Sequence, residues 1–492
     1  MKVLWVCNIM LPIIAKALGV ESSNKEGWLS GLCDTLLARR LENEIELHVA
    51  YPIPEGKGET ASEREEVSYH KFQLPDYGEG AVLYAYGFFE DVNHAEKYDA
   101  ALEGRMKHIL ELAKPDVIHC FGTEFAHTLA VARCCEYSEK VLVGIQGICS
   151  VIAKAYMADL PKRIQNKVTF RDWLKQDSIR QQQQKFEIRG RREQEAIALV
   201  GNITGRTHFD RYYTGLWNPN ARYFTMNETL RACFYEGKWN REKCEPHTIF
   251  LSQGDYPLKG LHYLLMAAGE LKEQYPDLQI KIAGNSLVNY RTLKDKLKIS
   301  AYGAYLRELI AENQLGDRVS FLGRLTALEM KEEYLNCGLY VCCSSNENSP
   351  NSLGEAMLLG VPCVAADVGG ISTIFSDGVD GILYKGFYLE EKEDLILSSG
   401  LETEKIEPDE SMEQKNGVLE NVNESIDCFE TEKRLECVVN NLKMAISSIW
   451  ENEEETQQFC KNARKHARKI HDSEANYRKM TEIYAKIARS EK

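Results

Sequence analysis

The chain has no run of about 18 consecutive apolar residues, so nothing in it reads as a membrane-crossing helix. It has no C-x-x-C, and its 15 cysteines are scattered and odd in number. That usage opposes a disulfide framework. The pairs Cys134-Cys135 and Cys342-Cys343 lie in apolar runs, as buried thiols of a reducing cytosol would. Positive charge is also short: the net charge of -14 argues against general nucleic-acid binding, so no nucleic-acid partner is expected. No G-x-G-x-x-G follows the first apolar run, which argues against a dinucleotide-dependent dehydrogenase. Lys2, Val3 to Ala15 and Ala15-Lys16-Ala17 loosely imitate a signal peptide. Asn8 and Pro12 interrupt that run, and Val3 to Cys7 serves as a first buried strand, so a cytoplasmic location is expected.

What is present is 492 residues with 44% apolar content, enough for two or three globular domains. Apolar runs alternate with helical stretches: Lys2–Cys7, Glu46–Ala50, Asp116–Cys120, Lys140–Ile145 and Ile197–Ile203 read as strands of a doubly wound parallel sheet. A long loop is expected from the first strand to Gly27, and a helix from about His94 to Leu112. A second set follows at Thr248–Leu251, Leu278–Ala283, Val319–Leu322, Leu339–Cys343 and Cys363–Ala366.

Between the last two of these strands stands the most informative stretch. A polar loop, Ser344 to Asn351, leads into a short helix from Ser352 to Leu359, closed by Gly360 and Pro362. Ligands of open α/β sheets bind beyond the carboxyl ends of the strands, where this loop must lie. The amides of Ser352, Leu353 and Gly354 would open the helix without intrahelical partners and suit a phosphate. Glu347 and Glu355, with seven residues between them, suit vicinal hydroxyls, because an ionised carboxylate accepts from both. The plain alternative is that Ser352 and Glu355 form a capping box and that Glu347 is a solvated loop acid.

The run E-N-S-P-N-S-L-G-E-A-M, with G-V-P and V-G-G after it, resembles the E-x7-E region of retaining glycosyltransferases of the family-4 type. The resemblance implies an α/β protein of the GT-B fold, with two Rossmann-like doubly wound parallel-sheet domains facing across a cleft. It implies a nucleotide-sugar donor, read as a UDP-sugar, and transfer to an acceptor hydroxyl with retention. It places Glu355 on the nucleotide ribose and Glu347 by the donor sugar, with Asn351, Ser352 and Leu353 at the diphosphate. Lys259, beside Gly260 at a helix start, would neutralise the diphosphate. Relatives usually pair that lysine with an arginine five positions earlier, where this chain has Gly254. Gly27 opens a helix where the family has a glycine loop facing donor phosphates and acceptor, although it also reads as a turn glycine.

K-P-D-V-I-H and I-Q-G are landmarks of the family's first domain. Many relatives carry a histidine just before that glycine, beside the transferred sugar, where this chain has Gln146. An amide can bond a sugar hydroxyl but cannot shuttle a proton, so either Gln146 binds only or another residue contacts the sugar. His119 is nearby in sequence and equally reads as structural. Arg206 faces the cleft or forms an ion pair with Asp210. No D-x-D of the other glycosyltransferase fold stands in a fitting context, so no metal and no cofactor is expected.

The expected organisation is a first domain over 1–225, a connection over 226–245, a nucleotide-sugar domain over 246–472 and a terminal helix over 473–492 that crosses back. The aromatic-rich stretch Trp217–Trp239 marks the junction. An acid-rich stretch at about 390–434 reads as a solvated insertion, with helical periodicity from Leu435. Residues 162–192 carry ten Lys/Arg against three acids, with Phe170, Trp173 and Leu174 among them. They read as a surface for peripheral contact with an anionic membrane or as a solvated helical face. Similarity to exopolysaccharide and capsule enzymes implies a glycan or lipid-linked acceptor. The rival readings are a nucleotide-sugar epimerase and a non-catalytic sugar-binding subunit.

Overall fold

The computed structural model describes residues 1–21, 27–53, 67–288, 292, 295, 297–387 and 419–489. The first sheet contains β1 (Lys2–Val6), β2 (Glu46–Ile53), β3 (Ser68–Gln73), β4 (Val82–Phe89), β5 (Val117–Phe121), β6 (Val141–Gly144), β7 (Asn202–Gly205) and β8 (Arg222–Thr225). Their spatial order is β3-β4-β2-β1-β5-β6-β7-β8, parallel throughout except for β3 against β4. Val3–Val6 and all of β5 are buried, as strands covered by helices on both faces must be.

The second sheet is wholly parallel, in the order β11-β10-β9-β12-β13-β14. These are β9 (Glu245–Leu251), β10 (Gln279–Ala283), β11 (Val319–Gly323), β12 (Cys337–Cys342), β13 (Cys363–Ala366) and β14 (Ile382–Tyr384). In each sheet the winding reverses once, between β1 and β5 and between β9 and β12. Connections leave these strand pairs in opposite directions, which opens a crevice at their carboxyl ends. The loops that matter therefore follow β1, β5, β9 and β12.

Several expectations need correction in the first half, where the helix expected from about His94 begins only at Ala101. A helix, Pro12–Leu18, stands in the expected loop after β1, with Pro12 at its first turn where a missing N–H costs nothing. β3 and β4 were not anticipated; β3 is an edge strand of alternating half-buried and exposed residues without an apolar run. Ile197 lies in the last turn of a 21-residue helix, Ile179–Leu199, the strand there is only Asn202–Gly205, and β8 follows as an eighth strand. In the second half, residues 388–418, which take in most of the acid-rich stretch, lie outside the described residues. From Leu419 the chain is already helical, as Leu419–Glu451, well ahead of Leu435.

Two segments tie the halves together. The terminal helix Ser473–Ala488 packs Tyr477, Met480, Ile483, Tyr484 and Ile487 into the core of the first sheet. Burial of such side chains contributes about 2 kcal/mol each. The Tyr484 hydroxyl accepts from Trp5 Nε1 at 3.0 Å and meets His119 Nδ1 at 2.7 Å. His119 is fully buried, and burial pushes its pKa down to about 3, which settles it as a neutral structural residue. In return, Leu160, Ile164 and Ile179 of the first half join the core of the second. Asp172 there accepts the Ala301 amide at 2.8 Å and so caps the helix Ala301–Glu312.

Candidate functional site at the facing switch points

The loop after β12 runs from Cys343 to Pro350, and the helix Asn351–Leu359 follows it. Ser344, Ser345, Asn346 and Asn348 are all buried, so their polar groups need partners. The Ser345 hydroxyl donates to the Ala155 carbonyl at 3.0 Å. Asn348 Nδ2 donates to the Gln146 carbonyl at 3.2 Å and to Asp210 at 3.0 Å. Thr207 donates its hydroxyl proton to Asn348 Oδ1 at 2.5 Å. One asparagine of the second half is thus bonded three times to the first. The backbone is pinned by Gly260 and Gly369, which have φ of +71° and +54°. A Cβ would stand 1.8 Å from the Cys343 carbonyl at one and 1.9 Å from the Glu347 carbonyl at the other.

Glu347 and Lys259 meet in this crevice. Lys259 Nζ donates to Glu347 Oε1 at 2.6 Å, and the Ser344 hydroxyl donates to the same oxygen at 2.8 Å. Burial works against the lysine's charge, but Glu347 outweighs it and holds the ammonium pKa well above its ordinary value. The pair keeps side-chain exposures of 19% and 15%, so a ligand can reach it.

Glu355 lies one turn into the helix and is buried. Arg231, from the connection between the sheets, donates to Glu355 Oε1 from Nη2 at 2.7 Å and from Nε at 3.1 Å. Burial raises the Glu355 pKa to about 6 against the opposing pull of Arg231. The capping-box alternative is thereby overturned. The N-cap is Pro350, with no side-chain cap, and the Ser352 hydroxyl instead accepts from the Tyr340 hydroxyl at 2.8 Å. The expected amide set is corrected as well: Leu353 and Gly354 donate their N–H groups to the Pro350 carbonyl at 3.0 and 3.3 Å. Among the described residues the amides of Asn351 and Ser352 have no such partner, and Asn351 Oδ1 is buried without one. What lies against Gly354 is the His471 ring, which a Cβ would meet at 2.6 Å.

Across the cleft, Gln146 is fixed between two charges. Its Nε2 donates to Glu228 Oε1 at 3.1 Å, and Arg206 Nη2 donates to its Oε1 at 3.4 Å. Arg206 pairs with Glu228 at 2.7 Å, not with Asp210 as one sequence alternative had it. Asp210 is occupied locally: it accepts the Arg206 and Thr207 amides and completes a capping box with Thr207. Gly27 opens the helix Gly27–Ala38, and residues 22–26 before it lie outside the described residues. Sequence reasoning missed Arg231, Glu228 and Asn348 as members of this site. Asn348 sits inside the E-x7-E loop and was passed over as loop polarity. The other two carry no local signal.

The first sheet's own crevice is acidic and buried. Glu124 accepts the Gly147 amide at 3.1 Å, and its other oxygen is buried without a partner. Glu193, fully buried, accepts from the Thr123 hydroxyl at 2.6 Å and the Ser150 amide at 3.3 Å, and burial pushes its pKa up to about 8.

Comparison with known proteins agrees with this geometry. Residues 236–405 match the family described as glycosyl transferases group 1. The D-inositol 3-phosphate glycosyltransferase of Geodermatophilus obscurus is 32% identical over 121 residues, which are 23% of this chain and 27% of that protein. That of Nocardia farcinica is 33% identical over 144 residues, 29% of this chain and 30% of that protein. The matched stretch therefore spans less than a third of these relatives. Over 99% of both chains the fold is similar to sucrose-phosphate synthase from Thermosynechococcus elongatus, with a TM-score of 0.63 at 12% identity. Anabaena Alr3699/HepE, solved in complex with UDP, aligns over 99% of this chain and 100% of its own, with a TM-score of 0.56 at 13% identity. The fold is GT-B.

Proposed function

We propose that this chain is a retaining glycosyltransferase that moves a sugar from a nucleotide diphosphate sugar, read as a UDP-sugar, to an acceptor hydroxyl. The observation that carries the reading is the pairing of Glu347 with Lys259 and Glu355 with Arg231 around the start of one helix at the second switch point. Glu355 would hold the ribose hydroxyls, with the diphosphate at Lys259 and the free amides of Asn351 and Ser352. Glu347 would lie by the donor sugar, facing Gln146. The bond between the anomeric carbon and the β-phosphate oxygen breaks with its electron pair going to the phosphate. The new bond to the acceptor oxygen forms on the same face, and the acceptor's proton passes to the departing phosphate. Negative charge grows on the diphosphate, and Lys259 with the helix amides is placed to stabilise it electrostatically. On this reading the enzyme needs no metal, and Gln146 need not act as a base. The UDP complex of Anabaena Alr3699/HepE supports uracil as the base.

The acceptor we read as a glycan or glycolipid of the cell surface, met at a membrane. Val168, Phe170, Trp173 and Leu174 are each more than half exposed, on and beside the helix Phe170–Lys175, with Lys167 and Lys175 among them. Such a basic-aromatic surface favours an anionic bilayer. Among the described residues no helix is long and apolar enough to cross one.

Isothermal titration with UDP and GDP, without metal, on wild type and Glu355→Ala tests the donor site. UDP should bind wild type and be lost in the variant. Binding of neither nucleotide to wild type would favour the non-catalytic rival.

A further inference from the structure

A groove outside the donor pocket runs along the helix Ile179–Leu199. Its inner part is a cavity of about 370 Å³ between that helix, the segment carrying Tyr156 and Asp177, and the loop after β9. Its outer part, about 570 Å³, reaches past Phe125. Asp177, Gln182 and Arg189 border both parts, so the two adjoin. Together they are of the size of sites that enclose a ligand of several rings.

The lining has two characters. Tyr156, Phe186, Tyr256 and Tyr302 give the inner part aromatic walls. Arg189 is held over Phe186, 4.5 Å from the ring centroid, by donating Nε–H to the Glu124 carbonyl at 2.8 Å. Between these walls stand hydrogen-bonding groups not used by the fold. Asp255 Oδ1 is buried behind the lining without a partner, and the Gln182 side-chain amide, on the lining, has none among the described residues. Three cations, Arg171, Arg189 and Lys298, face three carboxylates, Asp172, Asp177 and Asp255, so the inner part favours neither charge. Apolar ring faces beside free carboxylate and amide groups, without net charge, suit a neutral polyhydroxylated ring. Its C–H face stacks and its hydroxyls donate and accept.

The groove also ends in the right place. Tyr256 lines it, and Lys259 Nζ lies 5.8 Å from the centroid of that ring while bonded to Glu347. We propose that this groove binds the acceptor as a neutral oligosaccharide, its last sugar held between Tyr256 and Phe186 and its reacting hydroxyl at the Lys259–Glu347 end. The assignment rests on the glycosyltransferase reading above.

Saturation-transfer NMR on the full chain tests it with four neutral trisaccharides (maltotriose, cellotriose, mannotriose and chitotriose), alongside a UDP titration of the same sample. At least one trisaccharide should show transfer, and Phe186→Ala and Gln182→Ala should each weaken its binding by about tenfold, with the UDP Kd unchanged within about twofold. Gln182 holds nothing else in place, so its variant keeps the test clear of misfolding. UDP binding with no transfer to any trisaccharide would overturn the groove and leave the donor site standing. Trisaccharide binding that neither variant weakens would also overturn it. Binding that the variants weaken, without UDP binding, would remove the donor reading and keep the groove.

Discussion

Arg231 and Glu355 lie 124 positions apart in the chain and meet at 2.7 Å inside the crevice of the second sheet. The carboxylate is buried and the guanidinium comes from the connection between the sheets, so Glu355 is held ionisable by a residue outside its own domain's strands.

That pair predicts a pH dependence. With a pKa of about 6 against an ordinary 4.5, Glu355 takes up its proton sooner in the folded chain. Its contribution to stability is present below about 4.5 and lost as pH rises through about 6. On the proposed reading nucleotide binding runs the other way, because only the ionised form accepts from both ribose hydroxyls. UDP affinity should therefore rise between pH 5 and 7, lie flat in Glu355→Gln, and shift its midpoint upward in Arg231→Met. Titration calorimetry across that range reads all three.

On the proposed reading, Lys259 is the cation at the departing diphosphate. Lys259→Met should lower kcat by roughly 10²- to 10³-fold, the scale of losing one transition-state electrostatic contact. It also leaves Glu347 without its ion-pair partner, so the variant should melt a few degrees lower. Steady-state kinetics with a UDP-sugar and a thermal melt separate the two effects, with Lys259→Arg restoring most of the melt.

Glu193 is a carboxyl kept protonated at neutral pH by burial, with a pKa of about 8. Its stabilising contribution is present at low pH and lost as pH rises through that value. Wild type should lose several degrees of melting temperature between pH 7 and 9. Glu193→Gln, which keeps the shape without the charge, should lose less.

The exposed side chains of the helix Phe170–Lys175 predict a lipid dependence. Wild type should co-sediment with vesicles containing phosphatidylglycerol and not with pure phosphatidylcholine. Trp173→Ala with Leu174→Ala should weaken that binding by about tenfold or more, each buried apolar side chain being worth about 2 kcal/mol. UDP affinity should stay unchanged.

Much of the fold was legible because a parallel sheet buries both faces of its strands. Val3–Val6, Val117–Phe121 and Leu339–Cys342 are buried without interruption, and such runs stand out in any sequence. β3 and β8 escaped because these edge strands have only half-buried and exposed residues and carry no such run. The short helix after β1 escaped because Asn8 and Pro12 read as breaks, although Pro12 starts it.

The loop with Glu347 and the helix start after it were written in neighbouring residues, so the sequence alone determined a polar loop leading into a short helix at a strand end. Whether Glu355 caps that helix or enters an ion pair depended on Arg231, and whether Arg206 pairs with Asp210 or Glu228 depended on where the connection between the sheets places Glu228. Ion pairs of this kind join residues far apart in the chain. Their partners are chosen by which buried charge would otherwise stand unpaired, and only the folded chain brings those charges within reach of each other.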